Sequence, residues 1–132
     1  MAESSSIQSR LRRLIRTPDK KFQPYNRYGK TLPGLEWLPL SGGAEADKEV
    51  YLIRFGPRSR SHPHIHQGSE EFLVLDGELT DHDGLVFQSG DFVRFDPGSE
   101  HWSISGKGCT LLVILAGGTN RPAPTAGSNA VT

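Results

Sequence analysis

Cysteine is nearly absent from this chain of 132 residues, in which Cys109 stands alone. One cysteine excludes an intramolecular disulfide framework and any cysteine-rich zinc module. Cys109 opens an apolar run and reads as a small buried hydrophobe rather than a reactive thiol. Long hydrophobic runs are missing too, and none approaches the ~18 apolar residues of a membrane span. Neither sign of charge is in excess, since 15 Lys and Arg balance 15 Asp and Glu. A balanced chain argues against a polyanion as the main partner. No segment repeats another. These absences imply a cytoplasmic single domain with no nucleic-acid and no membrane partner, of a size that buries roughly two-thirds of its unfolded surface.

Glycine and proline, by contrast, are plentiful, at 15 and 9 residues. Many tight turns between short strands use them in this way. Charge is segregated along the chain: residues 1–30 hold eight Lys and Arg against two Asp and Glu, and the remainder is correspondingly acidic. Ser5-x-x-Gln8 has the form of a capping box. Ile7, Leu11, Leu14 and Ile15 follow at helical spacing, with arginines around them and Pro18 beyond. This predicts a short amphipathic helix docked on the domain or on a second subunit. A targeting peptide is the alternative for a stretch so rich in Ser and Arg and poor in acid.

From Thr31 the pattern changes to strands. Glu49–Phe55, Glu71–Leu75, Leu85–Phe87, Asp91–Phe95, Trp102–Ser105 and Thr110–Leu115 are rich in strand formers. Gly56-Pro57, Asp76-Gly77, Asp83-Gly84 and Ser89-Gly90 punctuate them. This spacing predicts an all-β barrel or sandwich of jelly-roll type. The expected organisation is a basic helix or arm over 1–30, the barrel over 31–117, and a disordered tail over 118–132. The tail is expected because it holds almost no large side chain.

The chemistry concentrates in Ser61-His-Pro-His-Ile-His-Gln-Gly-Ser-Glu-Glu71. On an extended strand, side chains two apart share a face, so His62, His64 and His66 converge. Imidazole is the commonest metal ligand in its neutral form. Glu70 or Glu71 can swing back to the same place after the turn at Gly68, and His101 can add a further nitrogen. His82, between Asp81 and Asp83, reads as a turn residue and His62 as a pocket or rim residue. Arg54, Arg60 and Arg94 read as surface residues, and Tyr51 and Trp102 as core. Phe72, Val74, Phe92 and Ile104 are available to line a dry pocket.

His64-x-His66-x3-Glu70-x6-Gly77 resembles the first cupin motif, and Gly90-x5-Asp96-x-Gly98-x2-His101 resembles the second. Glu70-Glu-Phe-Leu-Val-Leu-Asp-Gly77 and Pro97-Gly-Ser-Glu-His101 look most like the ChrR-like cupins. The resemblance covers residues 31–117. It implies a single small cupin barrel, a double-stranded β-helix, with one divalent metal ion in its mouth held by His64, His66, Glu70 and His101. Two departures stand out. Arg58 occupies the place of the glycine that opens the first motif, while Gly56 stands six before His62, which leaves a rival register on His62 and His64. Asp96 replaces the usual proline of the second motif, with Pro97 next to it.

A site of three imidazoles and one carboxylate suits Fe, Mn, Ni or Zn and leaves positions open on an octahedral ion. The resemblance implies a small-molecule substrate and dioxygenase-type chemistry on a chelating diketone or hydroxyketone, with Fe the leading metal. No residue is assigned a catalytic role beyond the metal ligands. The alternative is a ligand- or redox-sensing module, as in ChrR-like regulators. Residues 1–45 hold neither histidine nor cysteine, so the zinc site of those anti-sigma factors has no counterpart there. A homodimer is the expected assembly, because barrel edge strands need cover.

Overall fold

The structure, a computed structural model, describes residues 7–123, with side chains from Ser9 onward. Twelve strands follow one helical turn, α1 (Ile7–Arg10), and a 3-10 turn, Thr17–Asp19. They are β1 (Gln23–Pro24), β2 (Leu35–Gly42), β3 (Lys48–Phe55), β4 (Ser59–Arg60), β5 (His64–His66) and β6 (Ser69–Asp81). After these come β7 (Val86–Gln88), β8 (Phe92–Phe95), β9 (Glu100–His101), β10 (Ser103–Ser105), β11 (Cys109–Ala116) and β12 (Asn120–Pro122). The large sheet runs β1-β2-β3-β11-β6-β10-β4, with β7 and β8 also on β6, and a small sheet runs β12-β5-β9. No helix among the described residues is long and apolar enough to cross a membrane. The architecture is the all-β cupin barrel that the motifs imply.

Alternation builds the barrel. In β11, Leu111, Val113 and Leu115 are buried while Leu112 and Ile114 are only partly so. In β3, Tyr51, Ile53 and Phe55 point inward beside them. Phe72, Val74 and Leu79 of β6 complete the core. Each such side chain stabilises the fold by about 1.5–3 kcal/mol when fully buried. The outward residues form an apolar row across five strands, because Leu38 pairs with Leu52, Leu52 with Leu112, Leu112 with Leu73, and Leu73 with Phe92.

Several expectations need correction. The helix closes after one turn at Arg10, and Leu11 and Leu14 are exposed. A short helix without a packed face does not sustain itself. Ser5, its expected cap, lies outside the described residues. The arm also ends earlier than residue 30, since β1 pairs with β2 and Tyr25 is buried in the core. Asp76-Gly77 does not end a strand. The β6–β11 register shifts beside it and β6 continues to Asp81, passing from β8 and β11 to β7 and β10. The segment expected as a tail starts with structure: Asn120–Pro122 pairs with His64–His66, and the Ala123 amide donates to the Pro63 carbonyl. The residues from 124 onward lie outside the described ones.

Candidate metal centre

His64 and His66 lie on β5, and His101 on its antiparallel neighbour β9, directly opposite His64. The alternation of β5 buries both histidines and leaves Ile65 between them facing away. Glu70 enters from the start of β6. It is buried, whereas Glu71 points outward to Arg94 at 3.2 Å. One ligand-type atom from each of His64, His66, Glu70 and His101 falls within a sphere of contact where all four lie within 4.8 Å of one another. His62 is outside this group. Its Nδ1 lies 2.8 Å from the Pro63 carbonyl and its ring packs on Tyr28 at the cavity wall. His82 sits in the turn after β6 with its side chain 42% exposed.

The second nitrogen of each ring is occupied. His64 Nδ1 donates to the His62 carbonyl at 2.8 Å. The Ser99 hydroxyl donates to the Asp96 carbonyl and so accepts from His66 Nδ1 at 2.7 Å. His101 Nδ1 donates to Asp81 Oδ1 at 2.8 Å. These bonds place each ring proton on Nδ1 and leave the Nε2 lone pair free to bind. All three Nε2 atoms are buried and lack a hydrogen-bond partner.

His66 Nε2 nevertheless stands 2.7 Å from Glu70 Oε1, and His64 Nε2 stands 3.8 Å from it. With the proton on Nδ1, two lone-pair atoms face each other, a contact that repels unless positive charge lies between them. A proton would serve one pair only, whereas a divalent cation serves all four groups together. The residues therefore fit a metal ion. Burial alone would raise the Glu70 carboxyl, but hydrogen bonding and positive charge on the His64 and His66 side, where a cation would sit, hold it well below the usual carboxylate range. Burial pushes the His101 imidazole down despite Asp81, which favours the neutral, ligating form.

The group borders a cavity of about 40 Å³, on the order of a few water-sized groups. Its walls include Phe55, Phe72, Leu79 and Val113, with Tyr25, Tyr28 and Tyr51 among them. Of the four residues expected to line a pocket, only Phe72 does so. Val74 is buried elsewhere in the core, Phe92 is 62% exposed on the outer face, and Ile104 sits outside the cavity. Tyr51 serves both core and cavity wall. Trp102 lies under Arg60, Arg54 pairs with Glu36, and Cys109 is buried, its thiol pushed up to about 11 by burial.

Sequence reasoning missed four contributors. Asp81 orients His101, Ser99 orients His66, the Asn120 amide donates to Glu70 Oε1 at 3.0 Å, and Tyr28 lines the cavity. Asp81 had a signal: alternation carried past Gly77 puts it on the inward face with Leu79. Asn120 had none, because its place depends on pairing with a strand more than fifty residues earlier.

Residues 12–117 match the ChrR cupin-like domain. The chain belongs to that family. No protein of curated function matches it in sequence. Among solved structures, this ChrR cupin-like domain is similar to an acetylacetone dioxygenase from Acinetobacter johnsonii, at 15% identity and a TM-score of 0.75 over 88% of this chain and 80% of that one. It is similar to the polyketide cyclase RemF from Streptomyces resistomycificus, at 18% identity and a TM-score of 0.73 over 87% of each chain. It also resembles a chain in the complex of Rhodobacter sphaeroides SigE with the anti-sigma ChrR, at 24% identity and a TM-score of 0.61 over 76% of this chain and 50% of that one. At these identities the likeness is one of fold.

Asp81 supplies a first test. Asp81→Ala is expected to lower metal affinity by about 10–100-fold, because an unheld His101 ring loses its tautomer and its aim. Competition with a chelator of known affinity measures this. Unchanged affinity would mean that Asp81 does not support the centre.

Proposed function

We propose that this ChrR cupin-like domain is a metal-dependent small-molecule enzyme of the dioxygenase type, acting on a diketone or hydroxyketone that chelates through two oxygens. The observation that carries the proposal is the convergence of three buried, unpartnered Nε2 atoms and Glu70 beside one small cavity, which His64, Glu70 and His101 line. His64, His66 and His101 act as neutral donors, and Glu70 adds a single negative charge. A divalent ion bound there would polarise a chelating enolate and, as iron, open it to dioxygen, so that one carbon–carbon bond breaks and both oxygen atoms enter the products. Phe55, Phe72, Leu79 and Val113 keep the cavity dry, which strengthens every electrostatic contact inside it. The likeness in fold to an acetylacetone dioxygenase supports this substrate class.

Apo protein reconstituted with Fe(II), Mn(II), Ni(II) or Zn(II) tests the reading by oxygen uptake over a panel of diketones and hydroxyketones. Uptake is expected with Fe(II) and absent with redox-inert Zn(II). Equal uptake with zinc would refute oxygenase chemistry.

A second reading rests on the family itself. A ChrR-type cupin that binds metal and a ligand without turnover would be a sensing module. Absence of turnover with every metal across the panel would favour it. The homodimer belongs to the proposal too, with exposed Phe92 and the half-buried Leu73 and Leu112 beside it as its face; a one-chain mass by light scattering would contradict it.

A further inference from the structure

Among the described residues, four buried side-chain polar atoms have no hydrogen-bond partner. Three are the ring nitrogens of the metal centre. The fourth is the hydroxyl of Tyr28, and Tyr28 lines the same cavity as His64, Glu70 and His101. A buried hydroxyl left unpaired costs about 1–3 kcal/mol, so an orphan of this kind calls for an occupant.

The surroundings of Tyr28 explain why it finds no partner inside the protein. Its ring is wedged between His62, at 5.5 Å and a tilt of 50°, and Tyr25, at 6.2 Å edge to face. The Tyr25 hydroxyl accepts from Arg27 Nε at 3.1 Å. His62 turns its Nδ1 to the Pro63 carbonyl. The Arg27 guanidinium is committed to Glu49 at 2.9 Å and to Thr119. Tyr25 is near enough to interact with the phenol, but no hydrogen bond of full geometry joins the two hydroxyls, and Tyr28 lines the cavity. Burial raises its pKa above the ordinary tyrosine value, so it holds its proton and acts as a donor.

We infer that the Tyr28 hydroxyl is a substrate-positioning donor, which hydrogen-bonds an oxygen of the small molecule that occupies the cavity beside the metal centre. This inference rests on the reading of the site as a centre for chelating oxygen ligands, and it adds a requirement to that reading. The ligand carries an acceptor oxygen, keto or enolate, that can reach the phenol while the molecule is also held at the His64, His66 and His101 side. Leu35, Ile53, Phe55, Phe72, Leu79 and Val113 make much of the remaining wall, beside Ser61, Ser103 and Asn120, so the rest of the ligand is small and largely apolar. A purely hydrocarbon ligand, or one that offers only donors toward Tyr28, would leave the phenol unsatisfied.

The test compares wild type with Tyr28→Phe, both loaded with redox-inert Zn(II), using pentane-2,4-dione as the probe. Metal content is expected to be equal in the two proteins, since Tyr28 is not among the ligand groups. Calorimetric titration is expected to show the probe binding about tenfold more weakly to Tyr28→Phe, as for the loss of a hydrogen bond to a charged or polarised oxygen. Without the probe, Tyr28→Phe is expected to melt at the same temperature as wild type or higher, because an unpaired buried hydroxyl has been removed. Equal probe affinity would overturn the assignment while leaving the metal-centre reading intact. A lower melting temperature without probe would also overturn it, since it would show that the hydroxyl has a structural partner. Failure of Zn-loaded wild type to bind the probe at all would overturn the reading of the site and the assignment with it.

Discussion

His64→Ala, His66→Ala and His101→Ala are each expected to weaken divalent-metal binding by more than about 100-fold, whereas His62→Ala and His82→Ala bind as wild type does. Loss of an outer hydrogen-bond partner already costs about 10–100-fold in metal affinity, so loss of a direct donor costs more. The geometry separates the two sets cleanly. His64, His66 and His101 present buried Nε2 atoms with Nδ1 tied to a carbonyl, a serine hydroxyl and a carboxylate. His62 has turned to the Pro63 carbonyl, and His82 is exposed in a turn. Competition titrations on the five variants, with circular dichroism to verify the fold, check this. Metal lost in His62→Ala and kept in His66→Ala would instead support the rival register.

Gly77→Ala is expected to be strongly destabilising, costing about 3 kcal/mol or more. Gly77 has φ of +81°, and a Cβ there would stand 2.1 Å from the Gly108 carbonyl oxygen and 2.7 Å from Cys109 Cα. Backbone on the neighbouring strand cannot give way as a side-chain tip would. The position is where β6 passes from one set of partners to the other, so the strain acts on the strand that carries Glu70 at one end and Asp81 at the other. For a chain of this size the loss corresponds to a fall in Tm of roughly 10 °C. Gly84→Ala is the control. Gly84 also has positive φ, +94°, but nothing lies within 4 Å of its would-be Cβ, so only the backbone term of about 1 kcal/mol remains. Equal melting of the two variants would mean that the close approach at Gly77 relaxes freely.

The contrast between what could and could not be read from the sequence follows from range. The histidine segment is legible because a strand's period of two is local: His64 and His66 share a face whatever the rest of the chain does. His101 and Glu70 become legible as ligands through their motif spacing. The strands Lys48–Phe55 and Cys109–Ala116 announce themselves by composition and alternation. Asp76-Gly77 misleads because a turn dipeptide and a bulge dipeptide use the same residues, and only the register with β11 tells them apart. The early chain misleads because charge dominates its composition, while two aromatics, Tyr25 and Tyr28, decide where it packs. Asn120 is illegible for another reason. It sits in a Gly- and Thr-rich stretch with no pattern, and its contact with Glu70 exists only because β12 pairs with β5.

The central claim is that His64, His66, Glu70 and His101 form a metal site. Elemental analysis of untagged wild-type protein, purified without chelators, tests it most directly. A single divalent ion per chain is the predicted result, absent from the His64→Ala/His66→Ala/His101→Ala triple variant. A wild type that carries no stoichiometric metal and takes up none on addition of Fe(II), Mn(II), Ni(II) or Zn(II) would contradict the claim.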